Sequence, residues 1–304
     1  MKLILTQNFT LDSSTVTEAA YSEWVVGSTY ATGNKVYVTL SEDTATEVTP
    51  HKIYESLADA NTGNYPPDDS TNWLDSGATN RWAMFDNYVS SQTENASSIV
   101  VVLTPDDRVD TLALFNLDAT GITVVCKANT VEVFNETYDL ERSDAIGDLF
   151  DYFFGPFEFL TELTIPVLGL YPFLEITLTI TKAGTAKCGH CVAGLSQTLG
   201  NTKYSPKISI ADYSTKSTNT FGETYLNQKA YAKTIDIGLT LKTSALDGVA
   251  KKLSAVRSTP CVWESNNPGT EYTSLIVYGF LKEFDLLLQN LNISECNLSI
   301  EGLI

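Results

Sequence analysis

Thr234-Ile235-Asp236-Ile237-Gly238-Leu239-Thr240-Leu241-Lys242 alternates apolar and polar side chains without a break. Successive side chains of an extended strand point to opposite faces. A period of two therefore describes a strand with one face in a core and the other toward solvent. The same beat runs through Leu174-Glu175-Ile176-Thr177-Leu178-Thr179-Ile180 and Cys296-Asn297-Leu298-Ser299-Ile300-Glu301. Residues branched at Cβ are frequent there, as half-buried strands prefer. These segments predict a mainly β protein.

One segment follows a different period. Leu246, Val249, Leu253 and Val256 recur at spacings of three and four, which predicts one amphipathic helix over 244–256. Thr243 or Ser244 offers an oxygen to cap its first turn, and Pro260 bars its continuation. Working outward, the texture divides the chain into an N-terminal segment (1–20), a Gly-, Asn- and Pro-rich region with regularly placed aromatics (21–80), a run of strands broken by turns (81–200), and a β-rich region carrying the helix (201–304). No internal repeat is evident.

The 304 residues are 43% hydrophobic, enough for substantial cores and for more than one domain. Acidic residues number 37 against 19 basic, giving a net charge of -18. Such a surface repels phosphates and anionic lipid heads, which argues against nucleic acid and membrane partners. The five cysteines are too few for a disulfide scaffold and fit a reducing cytoplasm. Thr6-Gln7-Asn8 interrupts the first apolar run, so no signal peptide is read at the start. Later apolar stretches such as 275–280 are too short to cross a bilayer. Sequons such as Asn95-Ala96-Ser97 are expected by chance in a chain rich in Asn, Ser and Thr.

Trp24, Gly27, Tyr30, Gly33 and Val36 fall three residues apart, followed by Tyr54, Asn61-x-Gly63-x-x-Pro66 and Trp73. Glycines on that beat oppose a helix and suit a small, turn-rich β module with an aromatic core. Over 21–74 the pattern resembles the chitin- and cellulose-binding modules. The resemblance implies carbohydrate binding, with Tyr54 and Trp73 as the glycan contacts and Trp24 and Tyr30 as core. Two departures stand out. The stretch from Val36 to Tyr54 is long and contains the acidic, Thr-rich run 41–47. Glu55-Ser56-Leu57 stands where such modules carry an exposed aromatic pair, so a structural or partner-contact role for the module is favoured over glycan binding.

Residues 98–104 and 109–116 are apolar runs around an Asp-rich turn. With the strands that follow to Ile180 they look like a jelly-roll β-sandwich similar to galactose-binding-type domains. The aromatic run from Phe150 to Phe159 is read as core packing or a subunit interface in preference to a ligand cleft. Residues 204–216, Phe221-Gly222, Cys261-Val262-Trp263-Glu264 and the ending 296–304 resemble virion proteins of siphophage tail operons, nearest the distal tail and tail-tip proteins. That resemblance implies a homo-oligomeric ring in a virion tail, assembled in the host cytoplasm beside other tail proteins.

Cys188-Gly189-His190-Cys191 is the sharpest local motif. A zinc or iron–sulfur site could be completed by Cys261 and Cys296, with His190 as a substitute. A disulfide and free buried thiols are the alternatives, and free thiols, hence no cofactor, are favoured. No carboxylate pair stands in a catalytic frame, His51 and His190 are the only histidines, and GxSxG, P-loop and GxGxxG motifs are absent, so no enzyme is expected. The expected function is a structural component of a phage tail tip or baseplate, forming a ring and contacting host-surface polysaccharide. The alternatives are a glycan-binding adhesin or depolymerase-associated subunit, and a capsid or collar decoration protein.

Overall fold

Leu3 and Ile4 are adjacent, both fully buried, and face opposite sides of one sheet. Their strand, Lys2–Thr6, lies between His190–Thr198 and Cys261–Glu264. It thereby joins strands from distant parts of the chain. The computed structural model describes residues 1–39, 51–141, 148–155, 158–166, 171–204, 206–265, 273–288 and 290–303. The acidic run 41–47 lies outside them. The fold is mainly β, as the alternating segments predict.

The larger sheet has ten strands, in the order Leu163–Pro166, Thr111–Phe115, His190–Thr198, Lys2–Thr6, Cys261–Glu264, Ile276–Leu287, Ile293–Gly302, Tyr231–Lys242 and Asn201–Thr202, with Lys207–Asp212 also pairing with Tyr231–Lys242. A five-stranded sheet, Val131–Asp139, Gly121–Ala128, Leu174–Cys188, Thr93–Pro105 and Phe9–Ser14, packs over the first end of it. Ile99, Val101, Ile122, Leu178 and Ile180 from the smaller sheet meet Leu112, Leu114, Ile165 and Ala193 from the larger. This is the sandwich. The same large sheet continues into the C-terminal strands, so a boundary at residue 200 cuts through one hydrogen-bonded unit, and residues 1–20 supply strands to both sheets rather than a separate segment.

The second core lies under the helix. Helix α1 (Leu149–Phe154) is short, whereas α2 (Leu246–Ala255) is the predicted one, preceded by a single tight turn at Thr243–Ala245. Leu246, Val249, Leu253 and Val256 pack on Ile235, Ile237, Leu239, Leu298 and Trp263. The predicted cap is not made. Neither Thr243 nor Ser244 caps the helix; the Thr243 hydroxyl donates to the Asn290 carbonyl and pairs with Ser294. Docking the helix start onto the neighbouring strand outcompetes the local cap. A third core, with Ile4, Phe115, Val192, Val262 and Tyr278, fills the other face of the large sheet.

The described residues between Ser22 and Ala78 form the small module. Ser22–Glu23, Lys35–Val38, Lys52–Ser56 and Trp73–Ala78 make one sheet, and Thr29–Tyr30 pairs with Asn61–Thr62. Tyr30, Val36, Val38, Tyr54 and Trp73 are its core, with Trp24 and Tyr65 packed against them. Among the described residues, no helix is long and apolar enough to cross a membrane.

Candidate functional site

The residues between Lys207 and Lys242 form a long two-stranded arm. Its base is the ladder of Lys207–Asp212 with Tyr231–Lys242, which belongs to the large sheet. Its distal part pairs Thr215–Thr218 with Thr224–Asn227, and among the described residues these strands pair only with each other. A hinge of two bonds joins the parts: Tyr213 N–H to the Ala230 carbonyl at 3.2 Å and Lys229 N–H to Ser214 Oγ at 3.0 Å.

Asn219 organises the tip. Its Oδ1 accepts from the backbone N–H of Phe221 at 3.0 Å and of Glu223 at 2.9 Å, and its Nδ2 donates to Glu223 Oε2 at 2.7 Å. Gly222, at φ +86°, turns the chain in a region that disfavours other residues. Phe221 stands at this fixed tip 90% exposed, and Leu226 on the returning strand is 78% exposed. All eight strand residues of the distal arm are exposed. A ribbon of two strands with no buried face is marginal in water, because ordering the backbone is opposed by entropy and no apolar area is removed from solvent in return. The arm exposes apolar side chains, and among the described residues no third strand pairs with its edges.

The aromatic run at 150–159 also lies at the surface. Leu149, Phe150, Phe153 and Phe154 of α1 are exposed, which excludes the core half of the expectation for these residues and keeps the interface half. Pro156 and Phe157 lie outside the described residues.

The sequence-derived glycan contacts are interior. Trp73 is 2% exposed and Tyr54 6% exposed. The Trp73 indole N–H donates to the Asn64 carbonyl at 3.0 Å, and its ring meets Tyr30 edge-on at 5.3 Å. Burial, with the nearby charge of Asp75, pushes the Tyr54 phenol up to about 12. Stacking on a sugar needs an open aromatic face. In this module both rings spend their faces on the core, because a unit of this size has few other residues large enough to fill it.

The cysteine proposal meets a different obstacle. Cys188 and Cys191 lie in the sandwich core, whereas Cys261 and Cys296 lie in the core under the helix. All are free thiols, and among the described residues no group of three or more His, Cys, Asp or Glu side chains could hold a metal ion. Burial pushes the Cys188 thiol up to about 12 and the Cys261 and Cys296 thiols up to about 11. Protonated thiols are poor ligands and nucleophiles. The glycine of the motif serves packing: a Cβ at Gly189 would come within 2.4 Å of the Val89 carbonyl oxygen, where the chain crosses from one sheet to the other. His190 turns away to the third core, its ring 4.2 Å from that of Tyr278.

Residues 204–216 and Phe221-Gly222 carried a resemblance in the sequence, but sequence reading did not recognise them as parts of one projecting arm. Its signal was present in Thr218-Asn219-Thr220-Phe221-Gly222, a turn between short polar strands carrying isolated large apolar residues. Comparison with protein-family models, with characterised proteins and with solved structures finds no match to this chain.

Proposed function

We propose that this protein is a structural subunit of a bacteriophage tail tip or baseplate, that copies of it assemble as a ring beside other tail proteins, and that it contacts host-surface polysaccharide. Catalysis, a metal and a membrane or nucleic-acid partner form no part of the proposal. The observation that carries it is the arm: a two-stranded ribbon with Phe221 and Leu226 in solvent and no buried face of its own supports a reading in which a neighbouring subunit covers it. The exposed face of α1 offers a second apolar surface of the kind subunit contacts use.

Light scattering and negative-stain imaging of the purified chain test this reading. A closed oligomer of one stoichiometry is expected, and Leu226→Asp should reduce it to monomers while leaving the thermal transition of the body intact. A wild-type chain that stays monomeric and is captured by immobilised polysaccharide would instead favour a glycan-binding adhesin.

A further inference from the structure

One end of the sandwich opens into a cleft of about 670 Å3, within the range of roughly 300–1,000 Å3 typical of small-molecule sites. Its walls come from three separated segments: the turn after Thr93–Pro105, the hairpin tip at Asn129 and Thr130, and the residues leading into Leu174–Cys188. Two rings line it. Tyr171 is exposed, and Phe173 is 77% exposed with φ at +54°. A residue with a Cβ rarely adopts that φ, and an aromatic ring loses free energy by facing water. Phe173 does both. No packing in the described residues explains why the fold holds this ring outward, and backbone strain of this kind gathers at ligand sites.

The polar groups of the cleft have a consistent chemistry. The Arg108 guanidinium is exposed and forms no ion pair among the described residues. Asp106 and Asp107 precede it in the chain; one Asp107 oxygen takes the backbone N–H of Arg108 at 2.8 Å, and among the described residues the rest of both carboxylates is open. Lys127 and Glu175 neutralise each other at 3.6 Å on the opposite wall. A planar donor and two acceptors thus stand beside two flat rings, with no surplus of positive charge. Phosphorylated or carboxylated ligands are disfavoured by that balance. A pyranose ring matches it: its C–H face stacks on an aromatic face, and its hydroxyls donate to carboxylates and accept from a guanidinium.

We infer that this cleft binds a neutral pyranose unit of a polysaccharide, with Phe173 and Tyr171 as the stacking faces and Arg108 and Asp106 as hydroxyl partners. The inference deepens the polysaccharide contact of the proposed function and rests on it for the source of the sugar. It moves that contact from the small module, whose rings are buried, to the end of the sandwich.

Saturation-transfer difference NMR on the purified full chain, with the methyl glycosides of glucose, galactose, mannose and N-acetylglucosamine as probes, tests it. At least one neutral glycoside should give a signal, methyl glucuronide should give none, and the signal should fall about ten-fold in Phe173→Gly and in Tyr171→Ala. Glycine adopts a positive φ readily, so Phe173→Gly should melt at or above the wild-type temperature while losing the sugar. Unfolding is thereby separated from loss of the site. Absence of a signal with every neutral probe, a signal from the glucuronide alone, or a signal unchanged in both variants overturns the inference. The same spectra on Leu226→Asp separate the two readings: a signal kept without the ring leaves the cleft standing, and a ring without a signal overturns the cleft alone.

Discussion

Lys233 and Glu162 stand near opposite ends of the large sheet in strand order, yet their side chains pair at 2.9 Å. The Lys233 ammonium also donates to the Ile276 carbonyl at 3.0 Å. The sheet therefore curls until its ends approach, which encloses the third core. Burial pushes the Glu162 carboxyl up, and the charge and hydrogen bond of Lys233 only partly offset it. A raised carboxyl pKa contributes stability below the unfolded value that is lost as pH rises through the folded one, so at neutral pH the ionised carboxylate is a net cost even with Lys233 beside it. Lys233→Met should destabilise by ~1–3 kcal/mol in chemical denaturation, and Glu162→Gln by less. Equal losses from the two single changes would refute this account.

The module is fastened to the body by Glu18. Its carboxylate takes His51 Nδ1, Thr79 Oγ1 and the Arg81 guanidinium, each at 2.8 Å, and so holds the adjacent ends of the paired strands Lys52–Ser56 and Trp73–Ala78. Burial alone would raise its pKa; the hydrogen bonds from His51 and Thr79 and the charges of His51 and Arg81 outweigh burial and lower it. That stability is present above the unfolded value of 4.5 and is lost as pH falls through the lower folded value. Glu18→Gln should cost ~1–3 kcal/mol at neutral pH, seen as faster amide exchange confined to residues 51–79 and their partners. Uniform exchange across the whole chain would contradict a local fastening.

Trp73→Ala removes the largest side chain of the module core. The expected loss is about 3–5 kcal/mol, enough to unfold a module of this size on its own. Differential calorimetry should show the body transition retained and the module transition gone. A variant that keeps the module folded would show that Trp73 is less central than its packing implies.

Burial lowers His190 to about 4, and neither ring nitrogen has a hydrogen-bond partner among the described residues. The unfolded chain therefore binds a proton near 6.5 that the folded one refuses until about 4, so stability falls as pH drops across that window. The full effect is on the order of 3 kcal/mol, since each pKa unit is ~1.4 kcal/mol. His190→Phe should flatten this part of the stability profile. A profile with the same slope in the variant would assign the acid sensitivity elsewhere.

Much of the architecture was legible from periodicity. The strands at 174–180, 234–242 and 296–301 and the helix face of Leu246, Val249, Leu253 and Val256 follow from the spacing of apolar residues alone. The aromatic core of the module was legible from its beat of large rings. Individual site residues were harder to read, because a flat exposed ring and a flat buried ring are the same letter; Tyr54 and Trp73 carried the motif and Phe173 carried none.

By itself, the sequence determined where the alternating strands at 174–180, 234–242 and 296–301 run and where the amphipathic helix lies. Those properties are local: they depend on residue type and on the geometry of one element. Only the tertiary structure decided that Lys2–Thr6 joins residues 190–198 to 261–264, that the cysteines separate into two cores, and that Phe173 faces a cleft while Trp73 does not. Strand order, register and exposure arise from pairings between residues far apart in the chain, whose free energy is set by how the sheets close on one another and leaves no mark at short range.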